Sequence, residues 1–74
     1  GAGIREQNNF YILLEISTLL REAQREHQED LPWIGTIIKK MDAKLTLVDR
    51  HNVSGAIKIR EKLKSILNRR YKSA

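Results

Sequence analysis

Pro32-Trp33-Ile34-Gly35-Thr36-Ile37-Ile38-Lys39-Lys40-Met41-Asp42-Ala43-Lys44-Leu45-Thr46-Leu47-Val48 is the stretch on which the fold turns. Its apolar residues Ile34, Ile37, Ile38, Met41, Leu45 and Val48 follow one another at steps of three, one, three, four and three. That is the rhythm of one face of a helix with 3.6 residues per turn. Lys39, Lys40 and Lys44 fall off the stripe. Pro32 suits the first turn of a helix, because the amide it lacks would have no partner there anyway. Glu29 and Asp30 favour the positive, N-terminal end of a helix over the negative end of the one before. The segment therefore reads as a helix over about residues 32–48.

Working outward, the chain before it carries Phe10, Ile12, Leu13, Leu14, Ile16, Leu19, Leu20 and Ala23. These cover more than half the circumference of a helix over about 9–28, with Asn8 or Asn9 as its N-cap. Glu15, Thr18, Glu22, Arg25 and Glu29 form its polar strip. So broad an apolar face predicts a central helix covered by neighbours on two sides. After the second helix, Asp49 to Val53 reads as a connection, and Ser54 as the N-cap of a third helix over about 54–71. Ala56, Ile59, Leu63, Ile66 and Leu67 make its buried stripe, with Ile57 and Tyr71 at the margins.

No segment keeps strand-like alternation for more than a few residues, so the fold class is all-α. Three helices with short connections predict a compact three-helix bundle running up-down-up, with room for a short fourth helical turn around 45–50. The 74 residues make a single domain over 4–74, and Gly1-Ala2-Gly3 reads as an expression scar. A chain this short has a thin stability margin, and it has no cysteine to staple it. The lack of disulfides argues for an intracellular domain. The glycosylation pattern at Asn52-Val53-Ser54 is of a kind common by chance. The longest apolar run, residues 10–14, is far too short to cross a membrane.

The charges are unevenly spread. Residues 1–37 carry three basic side chains against six acids, and residues 38–74 eleven against three, making halves of −3 and +8 in a net charge of +5. The basic half points to an acidic or polyanionic partner.

The ingredients of catalysis are poor. His27 and His51 lie in the two connections with no metal-ligand spacing around them, and a zinc site needs three or four ligands. Gly35 and Gly55 stand alone, so no phosphate-cradling loop exists. Glu22 and Glu26 read as a solvated pair. No catalytic residue, metal, cofactor or small-molecule substrate is expected.

Binding is the remaining class. The leading expectation is a protein–protein interaction module with a groove around Trp33, Ile37 and Leu63. Lys39, Lys40, Lys44, Arg60 and Lys64 would rim it and receive an acidic or amphipathic partner segment. Trp33 serves either as an exposed anchor or as a staple folded over the core. Phe10 and Tyr11 are expected to cap the bundle. The alternative is nucleic-acid binding by the third helix through Lys58, Lys62, Lys64, Arg69, Arg70 and Lys72, with Tyr71 the nearest aromatic for base stacking. A helix-turn-helix reading of 51–56 fails on spacing, since its buried positions would fall on Lys58 and Glu61.

The order of features is similar to the small helical interaction bundles of transcription-elongation and chromatin proteins. The likeness rests on Ile34-Gly35 and on Ala56, Leu63 and Leu67; the terminal tryptophan-lysine of such bundles is replaced by Arg70-Tyr71. It carries no residue roles across. With the basic half, it implies a nucleic-acid-associated setting, in a eukaryote the nucleus rather than the cytoplasm.

Overall fold

The computed structural model describes residues 2–48 and 53–72, with side chains from Asn8 onward. It contains α1 (Ala2–Glu26), α2 (Leu31–Thr46) and α3 (Val53–Arg70), with a single 3-10 turn, Gln28–Asp30, between the first two. No strand occurs among the described residues.

Three contacts fix the topology. Glu15 of α1 meets Arg60 and Lys64 of α3, and His27, just past α1, meets Tyr71, just past α3. These two helices therefore run the same way. Trp33 at the start of α2 meets Arg70 at the end of α3, so α2 runs against them. The bundle is up-down-up.

The core forms where the three stripes converge. Ile12, Ile16 and Leu20 come from α1, Ile37 and Met41 from α2, and Ala56, Ile59 and Leu63 from α3. Ile16, Ile34, Met41 and Leu63 are the large side chains most completely withdrawn from solvent. Their burial supplies the main stabilisation, at about 1.5–3 kcal/mol for each large side chain. α1 packs chiefly on α3, and α2 lies against both.

Four expectations need correction. α1 begins at Ala2, so Asn8 and Asn9 lie inside the helix, and Asn9 is buried. Residues 4–9 lack apolar periodicity, but Arg5, Glu6 and Gln7 are good helix formers, and extending an established helix costs little. Ser54 is the second residue of α3 rather than its cap, a shift within the usual uncertainty of helix ends. The extra turn near 45–50 is a tightened end to α2: the Leu47 and Val48 amides donate to the Lys44 and Leu45 carbonyls. Positions 49–52, which include His51 and part of the expected second connection, lie outside the described residues.

The last correction concerns α1. Its broad apolar face is only half covered: Phe10, Tyr11, Leu13 and Leu14 are exposed. The buried residues Ile12, Ile16, Leu20 and Ala23 mark the side facing the bundle, and Phe10 and Leu14 lie well round the helix from it. Neither Phe10 nor Tyr11 caps the core.

Candidate functional site

Helical spacing places Lys40 and Lys44 one turn apart on α2, and Lys58, Lys62 and Arg69 along one strip of α3. The antiparallel packing of α2 on α3 brings the two sets to a common face. There Lys44, half-buried, lies beside Lys62. Its ammonium is held below the ordinary 10.5, first by close contact with the Lys62 side chain, then by burial and by the charges of Lys62 and Lys40. None of these five cations has an acidic partner among the described residues. Lys39 is exposed but lies about 140° round α2 from Lys44, off this face. Lys72, also exposed, follows the last turn of α3.

The other shoulder of α3 is neutralised. The Arg60 guanidinium donates to Glu15 Oε2 at 3.0 Å, and Lys64 Nζ lies 3.3 Å from Glu15 Oε1. Arg60 Nε and Lys64 Nζ also stand 3.5 and 3.8 Å from Glu61. Lys64 and Arg60 hold the Glu15 carboxyl below its usual 4.5. The two basic residues act as a tie from α3 to α1 and do not rim a groove around Ile37 and Leu63.

A second cluster joins the three helix ends. Asp30, in the connecting turn, accepts from Arg70 Nε, from Arg70 Nη2 at 2.9 Å and from the Tyr71 hydroxyl. Arg70 and then Tyr71 hold the Asp30 carboxyl down at about 2. The Tyr71 ring lies parallel to His27 at 3.5 Å and edge-on to Trp33 at 5.9 Å. Burial, and then the bond to Asp30, push the Tyr71 hydroxyl above its ordinary 10.0. Trp33 is a staple, as one reading expected, but its partners come from the end of α3 as well as from the core. Arg70 and Tyr71 are thus both engaged by Asp30, although Arg70 stays exposed. His27, in the first connection, is half-buried under Tyr71.

Ile37 and Leu63 are core residues, so the groove expected around them does not exist. An open groove of about 790 Å³ lies instead between α1 and α3, with Leu19, Ala23 and Leu67 among its lining and Glu22, Glu26, Lys64 and Tyr71 around them. No group of three or more potential ligands for a metal ion occurs among the described residues. No described helix is long and apolar enough to cross a membrane.

Set against known families, curated proteins and solved structures, the chain matches none. Its likeness to elongation and chromatin bundles is therefore one of feature order alone.

Proposed function

We propose that this domain is a non-catalytic protein–protein interaction module whose α2–α3 face receives an acidic or amphipathic segment of a partner. Its setting would be a transcription, chromatin or other nucleic-acid-associated assembly, as the +8 second half and the order of features suggest. The observation that carries the reading is the gathering of Lys40, Lys44 and Lys62 on one face, with no acid among the described residues to neutralise them. Two like charges held together repel, and a carboxylate brought between them relieves the repulsion. Such a surface governs on-rate and selectivity more than affinity.

Nucleic acid is the second reading, supported by Lys58, Lys62 and Arg69 on one strip of α3, with Lys72 beyond it. Against it, Tyr71 is occupied by His27 and Asp30, which leaves that strip no free aromatic for stacking bases.

One experiment separates the readings. Binding of a peptide alternating Glu or Asp with leucine, and of single- and double-stranded oligonucleotides, is followed by fluorescence anisotropy across a salt series. The module reading expects the peptide to bind more tightly and the double variant Lys44→Glu, Lys62→Glu to abolish binding while keeping its circular dichroism. Tighter oligonucleotide binding with a steep salt slope would transfer the face to nucleic acid. Binding of neither at low salt would end both.

A further inference from the structure

The outward side of α1 carries a second, chemically different surface. Phe10, Tyr11, Leu13 and Leu14 are 62, 64, 41 and 51 % exposed, on consecutive turns of one helix. The two aromatic rings meet edge-to-face at 5.9 Å and so form one continuous ridge. Taking about 200 Å² for each side chain, the open apolar area is roughly 400 Å², within the range where the largest patch on a monomer is often functional. These residues cannot serve the core, because Ile12 and Ile16 on the same turns already fill that side.

What lies further along the same face says what covers it. Phe10, Leu14, Ser17, Arg21 and Arg25 recur at steps of four, three, four and four, which keeps them on one side of the helix. The Thr18 hydroxyl beside them is turned inward, donating to the Leu14 carbonyl at 2.9 Å. Arg21 and Arg25 are exposed and have no acidic partner among the described residues. The face therefore runs from apolar to cationic along its length. Leu14 and Arg21 are seven residues apart, or about 10 Å.

We infer that α1 docks an amphipathic helix of a partner protein. Leucine-, isoleucine- or phenylalanine-like residues of that helix cover Phe10, Tyr11, Leu13 and Leu14, and its acidic residues meet Arg21 and Arg25 about two to three turns away. The occupant is helical because the ridge is convex and periodic, which suits ridge-and-groove packing and offers no slot for an extended strand. Its acidic end follows from charge complementarity with the two arginines. A second copy of this chain is the poorer occupant: its matching face offers Arg21 and Arg25 only another apolar ridge or the same two arginines, and no carboxylate. This surface is independent of the α2–α3 basic face and stands or falls without it.

The test uses the isotope-labelled 74-residue chain and a synthetic helical peptide of about 20 residues, with leucines facing one side of its first half and glutamates continuing that side in its second. The expected result is amide shifts confined to α1 around residues 10–25. The double variant Phe10→Asp, Leu14→Asp should weaken binding at least tenfold with unchanged helix content. Arg21→Glu with Arg25→Glu should do the same, and a peptide carrying lysines for glutamates should rescue that second variant. The rescue separates a docking role from a folding defect. Shifts landing on Lys40, Lys44 and Lys62 instead, or no shifts at all, would overturn the inference. So would concentration-dependent dimerisation through Phe10 and Leu14, seen in sedimentation and unaffected by the peptide.

Discussion

The Arg70 guanidinium lies 4.1 Å over the Trp33 ring while holding Asp30 in a two-pronged ion pair. One side chain at the end of α3 thus fastens the start of α2 and the turn before it. A cation over an indole contributes about 0.5–1 kcal/mol at an exposed site. Tyr71 completes the clasp by donating to the same carboxylate and stacking on His27. Residues from 27 to 71 are held together at the end of the molecule where α1 and α3 finish. Arg70 and Tyr71 thereby close this end of the bundle.

Asp30 makes that closure sensitive to acid. Its carboxyl is depressed from 3.8 to about 2, so the folded state binds fewer protons than the unfolded chain in that window. The stability it contributes is fully present above 3.8 and is lost as the pH falls through about 2. Thermal melts between pH 5 and pH 2 should therefore show a declining midpoint, accompanied by loss of near-ultraviolet dichroism from Trp33 and Tyr71. Asp30→Asn should lower the midpoint at neutral pH and flatten the slope in that window. An unchanged slope in the variant would remove Asp30 from the account.

Leu63 is fully buried at the meeting of the three helices, whereas Ile57 on the same helix is one-third exposed. Leu63→Ala should cost about 2–5 kcal/mol, as a large-to-small change in a core does. Ile57→Ala should cost well under half as much. Urea denaturation of both variants measures the contrast, and equal losses would mean that α3 presents a different face to the bundle.

Much of this was legible beforehand, for a physical reason. A helix face repeats locally, so Ile34, Ile37 and Met41 declared the buried side of α2, and Ile59 with Leu63 that of α3, without knowledge of the partner helix. The same stripe logic contradicts placing Ile37 and Leu63 in an open groove, since stripe residues close on one another. The Asp30–Arg70 and His27–Tyr71 contacts join residues 40 and 44 positions apart and follow no period, so nothing local announces them. Phe10 and Tyr11 misled for a related reason. Hydrophobicity alone does not say which part of an over-wide apolar face the neighbours reach.

Gly35 sits in the interior of α2 with no positive φ, and a Cβ built on it meets nothing within 4 Å. A helical glycine loses about 0.5–1 kcal/mol relative to alanine through backbone entropy. Gly35→Ala should therefore stabilise the domain by about that amount, read as a higher urea midpoint with an unchanged m-value. At Gly55 an added methyl would touch the Val48 side chain at 3.4 Å, ordinary contact, so Gly55→Ala is tolerated as well. A destabilised Gly35→Ala would mean that a surface needed at that position had been blocked within the fold.

The Lys44–Lys62 contact predicts a trade between stability and binding. Because the Lys44 ammonium is held below 10.5, the unfolded chain binds more protons than the folded one as the pH approaches that value. Stability from this group therefore rises with pH through the lowered value, the reverse of the Asp30 window only in position along the scale and not in sign. Measurement below pH 10 keeps Tyr71 out of play, since its hydroxyl ionises above 10.0. Lys62→Met should raise the melting midpoint at neutral pH and reduce the gain on going alkaline, burial and Lys40 sustaining the remainder. Lys62→Glu should raise it further by turning repulsion into a pair with Lys44. If the face receives a partner's carboxylates, both substitutions that steady the domain should also weaken the acidic peptide, with Lys62→Glu the more damaging. A stabilised variant that binds the peptide as well as before would show that the lysines meet by accident of packing. In that case the basic face only keeps the domain in solution.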